Sequence, residues 1–146
     1  MTLYTIGFTK KTAKEFFSLI VENNIDMLVD IRLNNKSQLA GFTKGDDLSY
    51  FLEAICNCAY EYCDEFAPTK GILDAYKKKE LDWNEYEKQY KELMDERGEY
   101  AEFAERFETY HKVALLCSEP TANRCHRRLL SEMICEVDSS IAVYHI

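Results

Sequence analysis

Val113-Ala114-Leu115-Leu116-Cys117-Ser118-Glu119-Pro120-Thr121-Ala122-Asn123-Arg124-Cys125-His126-Arg127 is the stretch whose reading decides the fold. The run from Val113 to Leu116 is apolar without alternation, the pattern of a strand covered on both faces and hence of a parallel sheet. Beyond it, His126, Leu129, Leu130, Met133, Ile134 and Val137 recur at helical spacing, and Pro120 with Thr121 is read as the opening of that helix. A thiol therefore ends a buried strand, with a second thiol, an imidazole and two arginines just past it.

Working outward, Leu3–Ile6 reads as a first strand stopped at Gly7, and Ile25–Ile31 as a second, mostly apolar one. Between them Thr12 and Glu15 have the spacing of a capping box. The helix they start places Ala13, Phe16, Phe17, Ile20 and Val21 on one face. A polar stretch, 34–45, precedes a helix carrying Leu48, Phe51, Leu52, Ile55 and Ala59, then a short strand at Tyr60–Cys63. Thr69 caps a short helix with Ile72, Leu73 and Tyr76, and Asp82 with Glu85 opens a longer one. Its stripe of Trp83, Tyr86, Tyr90, Leu93 and Met94 reads as core with wet edges. Gly98 interrupts, Tyr100, Phe103, Ala104 and Phe107 resume, and Ile141–Ile146 closes as a fifth strand. Strands alternating with helices predict a single α/β domain over residues 1–146. It is doubly wound, with a mostly parallel five-stranded sheet, helices on both faces and a helical insertion between strands three and four.

Composition agrees and sets limits. Apolar residues make up 47% of 146, enough for one continuous core. The formal net charge of -8 disfavours binding to nucleic acid or an anionic membrane through long-range attraction. The charge is uneven. Carboxylates dominate Glu80–Glu108, whereas three arginines fall within Arg124–Arg128, a basic spot suited to a compact anion. No apolar run approaches the roughly 20 residues of a membrane span. The first residues lack a basic region followed by a long apolar one, so the expectation is a cytoplasmic protein whose six cysteines are reduced.

Tyr4-Thr5-Ile6-Gly7, Asp30-Ile31-Arg32, Gly41-Phe42, Cys117-x-Glu119 and Cys125-His126-Arg127 together resemble the bacterial and archaeal family of domains of unknown function DUF488, nearly end to end. The resemblance implies a prokaryotic protein of that fold with its site around these residues, and no general activity. Where family members often have a proline between the Asp-x-Arg triplet and a serine, this chain reads Leu33-Asn34-Asn35-Lys36-Ser37. Where they often have Leu-Gly-Gly after the third strand, it reads Phe66-Ala67-Pro68-Thr69-Lys70.

In open parallel sheets ligands bind outside the carboxyl ends of the strands. That edge gathers Thr9, Asp30, Arg32, Cys63 and Cys117. Cys117 is the candidate nucleophile, since helix N-termini and guanidinium groups lower a thiol pKa; its bland alternative is a residue that merely finishes a strand. His126 and Glu119 are the candidate proton carriers, and for His126 the alternative is a core-edge residue bonding a strand-end carbonyl. Arg32, oriented by Asp30, and Arg127 are candidate anion contacts, with Ser37 on a closing loop and Cys125 beside them; an ordinary structural Asp30–Arg32 pair is the alternative. A Cys-x5-Arg phosphate loop does not fit, because Asn123 stands at the arginine position and Pro120 removes a donor. Metal binding is not assigned: the spacing matches no zinc finger, and Cys125 and His126 would diverge by about 100° on a helix. The function predicted is a cysteine-dependent enzyme for a small anionic, nucleotide-like or phosphorylated substrate. The competing readings are a non-catalytic ligand-binding or regulatory module, and a Cys/His metal site. The pattern names no cofactor and no oligomeric state.

Overall fold

The computed structural model describes all residues, 1–146. Five strands, β1 Thr2–Gly7, β2 Met27–Asp30, β3 Ala59–Tyr62, β4 Lys112–Cys117 and β5 Ala142–His145, form one sheet in the order β3-β2-β4-β1-β5. Every pairing is parallel. The apolar run Val113–Leu116 is β4, the middle strand, fully buried between β1 and β2. Its register sets Gly7 beside Cys117 and Asp30 beside Leu116, so three strand ends meet at one edge.

Alternate residues along each strand serve opposite faces. Tyr4, Ile6, Leu28, Ala114 and Leu116 pack under α1 (Ala13–Glu22), α2 (Gly45–Phe51) and the turn after it, through Phe16, Phe17, Ile20, Leu48 and Leu52. Leu3, Met27, Val29, Val113 and Leu115 face the other way. They lie under α4 (Trp83–Arg97), α5 (Phe103–Arg106) and α6 (His126–Val137), which with Phe107 just past α5 contribute Tyr86, Tyr90, Met94, Phe103, Leu129 and Leu130. A short α3, Lys70–Lys77, packs against α4 and completes the insertion between β3 and β4.

Local signals behave as their chemistry requires. Thr12 and Glu15 make both bonds of the capping box at the start of α1. Thr69 Oγ1 accepts from the Ile72 N–H, and Asp82 Oδ1 from that of Glu85. Gly98 ends α4 at φ 81°, a left-handed conformation natural to glycine.

Some boundaries and faces differ from the expectations. The second helix does not run to Ala59: after Phe51 it widens into a π turn, Leu52–Cys56, and stops at left-handed Asn57, φ 49°. Asparagine tolerates that conformation, and the Cys58 N–H closes the end on the Leu52 carbonyl at 3.1 Å. Ile55 is consequently 56% exposed. Val21 and Val137, read as part of the inward faces of their helices, are also exposed. His145 lies on exposed edge strand β5, and its Nδ1 stands 2.7 Å from Thr5 Oγ1. The largest departure follows β4. The last helix starts at His126 rather than near Pro120, and Ser118–Arg124 is a loop. Tertiary bonds hold the loop open: the Thr9 N–H donates to the Ser118 carbonyl at 3.1 Å, and Arg127 Nη1 to that of Glu119 at 2.7 Å.

Candidate functional site

Gly7 explains how the loop comes so close to the sheet. A Cβ there would fall 1.7 Å from the Glu119 carbonyl oxygen, so only glycine lets the backbone of Ser118 and Glu119 cross the end of β1. The crossing turns the Cys117 thiol into the sheet edge, where it is 5% exposed. Cys125 is the N-cap of α6 with an extended backbone, φ -139° and ψ 140°. That conformation overturns the expected divergence of Cys125 and His126, which assumed both were helical. Cys117 Sγ, Cys125 Sγ and a His126 ring nitrogen instead all lie within 4.8 Å of one another.

The hydrogen bonds assign the protons. His126 Nε2 lies 2.9 Å from the Ile31 carbonyl, which only accepts, so Nε2 carries a hydrogen, and in the neutral imidazole the lone pair is then on Nδ1. Cys117 Sγ lies 3.6 Å from Nδ1 and 3.7 Å from Nε2, nearly equidistant from the two ring nitrogens. The strand-end bond expected of a core-edge histidine is thus present, and it is also what orients the ring toward the thiol. Cys117 is held below the ordinary thiol range, chiefly by a hydrogen bond from the Cys125 thiol. Burial opposes this, while the Ser118 and Glu119 N–H groups and the Arg127 charge assist. Cys125 moves far upward, first because its proton is committed to Cys117 and then through burial. Within this pair the hydrogen bond runs from Cys125 to Cys117, which makes Cys117 the more acidic of the two thiols.

Arg32 is fixed by a buried network. Its Nε and Nη2 donate to the two oxygens of Asp30 at 2.8 and 2.6 Å, and Nη2 also donates to the Thr43 carbonyl at 2.7 Å. Tyr60 donates its hydroxyl to Asp30 Oδ2 at 2.7 Å. Burial works against the guanidinium charge, but Asp30 outweighs it and keeps Arg32 firmly ionised. The ring of Phe8 lies 5.3 Å from the guanidinium carbon.

These groups floor a cleft of about 1110 Å³ at the carboxyl edge of the sheet. Of the residues singled out from sequence, Cys117, Glu119, Cys125, His126 and Arg32 line it together. Asp30 lies beneath, buried under Arg32. Arg127 is 1% exposed behind the cluster, touching Cys125 Sγ and the Glu119 carbonyl, and its Nε has no partner. Thr9 is exposed and joins through its backbone alone; Ser37 caps its own turn by accepting from the Leu39 N–H. Cys63 is turned away toward Glu61 and Arg106.

The opposite wall was missed. Lys70, Tyr76 and Lys77 of α3, Trp83 and Tyr86 of α4, and Lys79 between them line the cleft, with Arg124 on the loop. Trp83 and Tyr86 stack with centroids 5.3 Å apart, and Tyr76 packs on Tyr86 at 4.8 Å. The available signal was the lysine run Lys77-Lys78-Lys79, basic residues just before an acidic stretch.

An all-parallel α/β sheet with a thiol–imidazole cluster at its carboxyl edge is the class that fold and site define. The chain belongs to the family described as domain of unknown function DUF488, whose family model matches residues 12–134. No curated protein and no solved structure gives a match.

Proposed function

We propose that this protein is a cysteine-dependent enzyme acting on a small anionic, nucleotide-like or phosphorylated substrate in the cleft at the carboxyl edge of its sheet. One observation carries the reading: the Cys117 thiol lies 3.6 Å from Nδ1 and 3.7 Å from Nε2 of an imidazole whose Nε2 is tied to the Ile31 carbonyl, which leaves Nδ1 free to take its proton. A nucleophile, a base and a group that orients the base is the arrangement that activates a thiol. The proton of Cys117 passes to His126 Nδ1, and the sulfur electron pair attacks the electrophilic atom of the substrate. The imidazolium, or Glu119 at the exposed rim, protonates the departing group. Arg32, Lys70, Lys77, Lys79 and Arg124 outnumber Asp74, Asp82 and Glu119 among the charged groups lining the cleft, which supports an anionic substrate in a chain of net charge -8. Arg127 acts from behind, as a buried cation without a carboxylate partner that favours sulfur as thiolate.

Alkylation of the reduced protein with iodoacetamide, mapped by mass spectrometry, tests the reading. Cys117 is expected to react at least tenfold faster than a free thiol, and His126→Ala to remove most of that advantage. A Cys117 rate at or below that of a free thiol would end the proposal. Cys117→Ser then separates an enzyme from a binding module, since it abolishes turnover while leaving affinity for a phosphorylated ligand in place.

A further inference from the structure

Cys117, Cys125 and His126 are all buried, and their ligating atoms lie within 4.8 Å of one another. We infer that this cluster is a binding site for one thiophilic divalent metal ion of the zinc type, held by both sulfurs and His126 Nδ1, with its fourth position open to the cleft. In a tetrahedral zinc site a sulfur at about 2.3 Å and a nitrogen at about 2.1 Å stand about 3.6 Å apart. Cys117 Sγ stands 3.6 Å from Nδ1 and 3.7 Å from Nε2, so its distance to Nδ1 suits ligation and a turn of the thiol toward the Nδ1 side brings the sulfur into line. The bond from Nε2 to the Ile31 carbonyl is the outer-shell contact that fixes a metal-ligating imidazole with the correct nitrogen free. Arg127 Nη1 donates to Cys125 Sγ at 3.4 Å, the kind of contact that steadies a coordinated thiolate.

Two sulfurs, one imidazole and an open position form the donor set of a catalytic rather than a closed structural zinc. Charge counting says what completes it. A divalent ion with two thiolates is neutral, which leaves the buried Arg127 guanidinium without a counter-charge. An anionic fourth ligand, hydroxide or an anion from the cleft, restores balance. The site is tertiary: one ligand ends β4, one is the N-cap of α6 and one is the first residue of that helix.

This inference shares Cys117 with the proposed nucleophile but rests on the placement of three side chains and not on that chemistry. An ion bound here caps the sulfur, so it silences a thiol nucleophile. The reduced, chelator-treated full chain is titrated with Co²⁺ and then with Zn²⁺. One equivalent of Co²⁺ is expected to give thiolate-to-cobalt charge-transfer absorption and the intense visible bands of a tetrahedral ion, both lost on adding one equivalent of Zn²⁺. Zinc is also expected to slow alkylation of Cys117 at least tenfold. Cys125→Ser and His126→Gln should each weaken Zn²⁺ binding at least tenfold against a chromophoric chelator, whereas Cys56→Ser should not. Two separate variants guard against misfolding of one. Absence of the charge-transfer band, or affinity unchanged in both variants, overturns the inference. Fast alkylation that zinc leaves unchanged removes the metal site and spares the thiol reading. A tetrahedral cobalt spectrum from a protein whose metal-free Cys117 is unreactive does the reverse.

Discussion

Replacing Gly7 by alanine tests whether the close crossing of loop and sheet builds the site. The added Cβ would sit 1.7 Å from the Glu119 carbonyl oxygen and 2.8 Å from its carbon. The carbonyl must retreat by about 1.3 Å merely to reach 3.0 Å, the floor of real Cβ contacts. Both atoms in conflict are backbone, so no side-chain rotation relieves it. Overpacking of this kind costs ~1–3 kcal/mol. The retreat also strains the bond from Arg127 Nη1 to that carbonyl, a charged-group bond worth ~1.5–3 kcal/mol. Partial loss of the bond added to the clash gives a destabilisation of roughly 2–5 kcal/mol. At about 3 °C per kcal/mol for a chain of this size, Tm should fall by roughly 6–15 °C. Urea unfolding followed by circular dichroism should show a lower midpoint with an unchanged m value. Because Gly7 is the register partner of Cys117, the displacement should also change the alkylation rate of that thiol. A variant within about 0.5 kcal/mol of the parent, with Cys117 equally reactive, would refute the account of the crossing.

Three further outcomes can be checked by the same methods. Asp30→Ala leaves Arg32 buried without its anion and should cost about 3–5 kcal/mol, while Asp30→Leu combined with Arg32→Met should recover a large part of it in urea denaturation. Thr12→Ala removes the side-chain half of an exposed capping box and should cost about 1 kcal/mol, visible as a small Tm shift. Burial pushes the Cys58 thiol up to about 12. An unfolded thiol loses its proton near 8.5, so between those pH values the native state holds the proton that the unfolded state has released. Stability must then fall as pH rises through that window, by about 1.4 kcal/mol per pH unit for each such group. Urea midpoints at pH 8 and pH 10 should show the fall, and Cys58→Ala should reduce its slope; an equal slope in the variant would discard this assignment.

Strand and helix signals that depend on near neighbours were legible. Val113–Leu116 had to be a central strand, because an unbroken apolar run needs cover on both faces. The caps at Thr12, Thr69 and Asp82 were legible because their bonds close within three residues. The Asp30–Arg32 pair could be read from its i, i+2 spacing, and the gathering of Arg32 and Cys117 at one edge follows from strands that all run the same way. Arg127 was harder: its place in the sequence suggested a cleft contact, whereas the start of α6 turns it inward.

By its own order of residues, the chain determined that it would form a parallel α/β sheet and carry a thiol and an imidazole to the carboxyl end of the middle strand. Local hydrophobic period and local capping chemistry suffice for that. Only the tertiary structure decided that Cys125 leaves the helix, that Gly7 admits the Glu119 backbone, and that α3 and α4 close the cleft with aromatic rings and lysines. Each of these depends on a contact between segments far apart in the chain, with an energy that exists only after the sheet has brought them together.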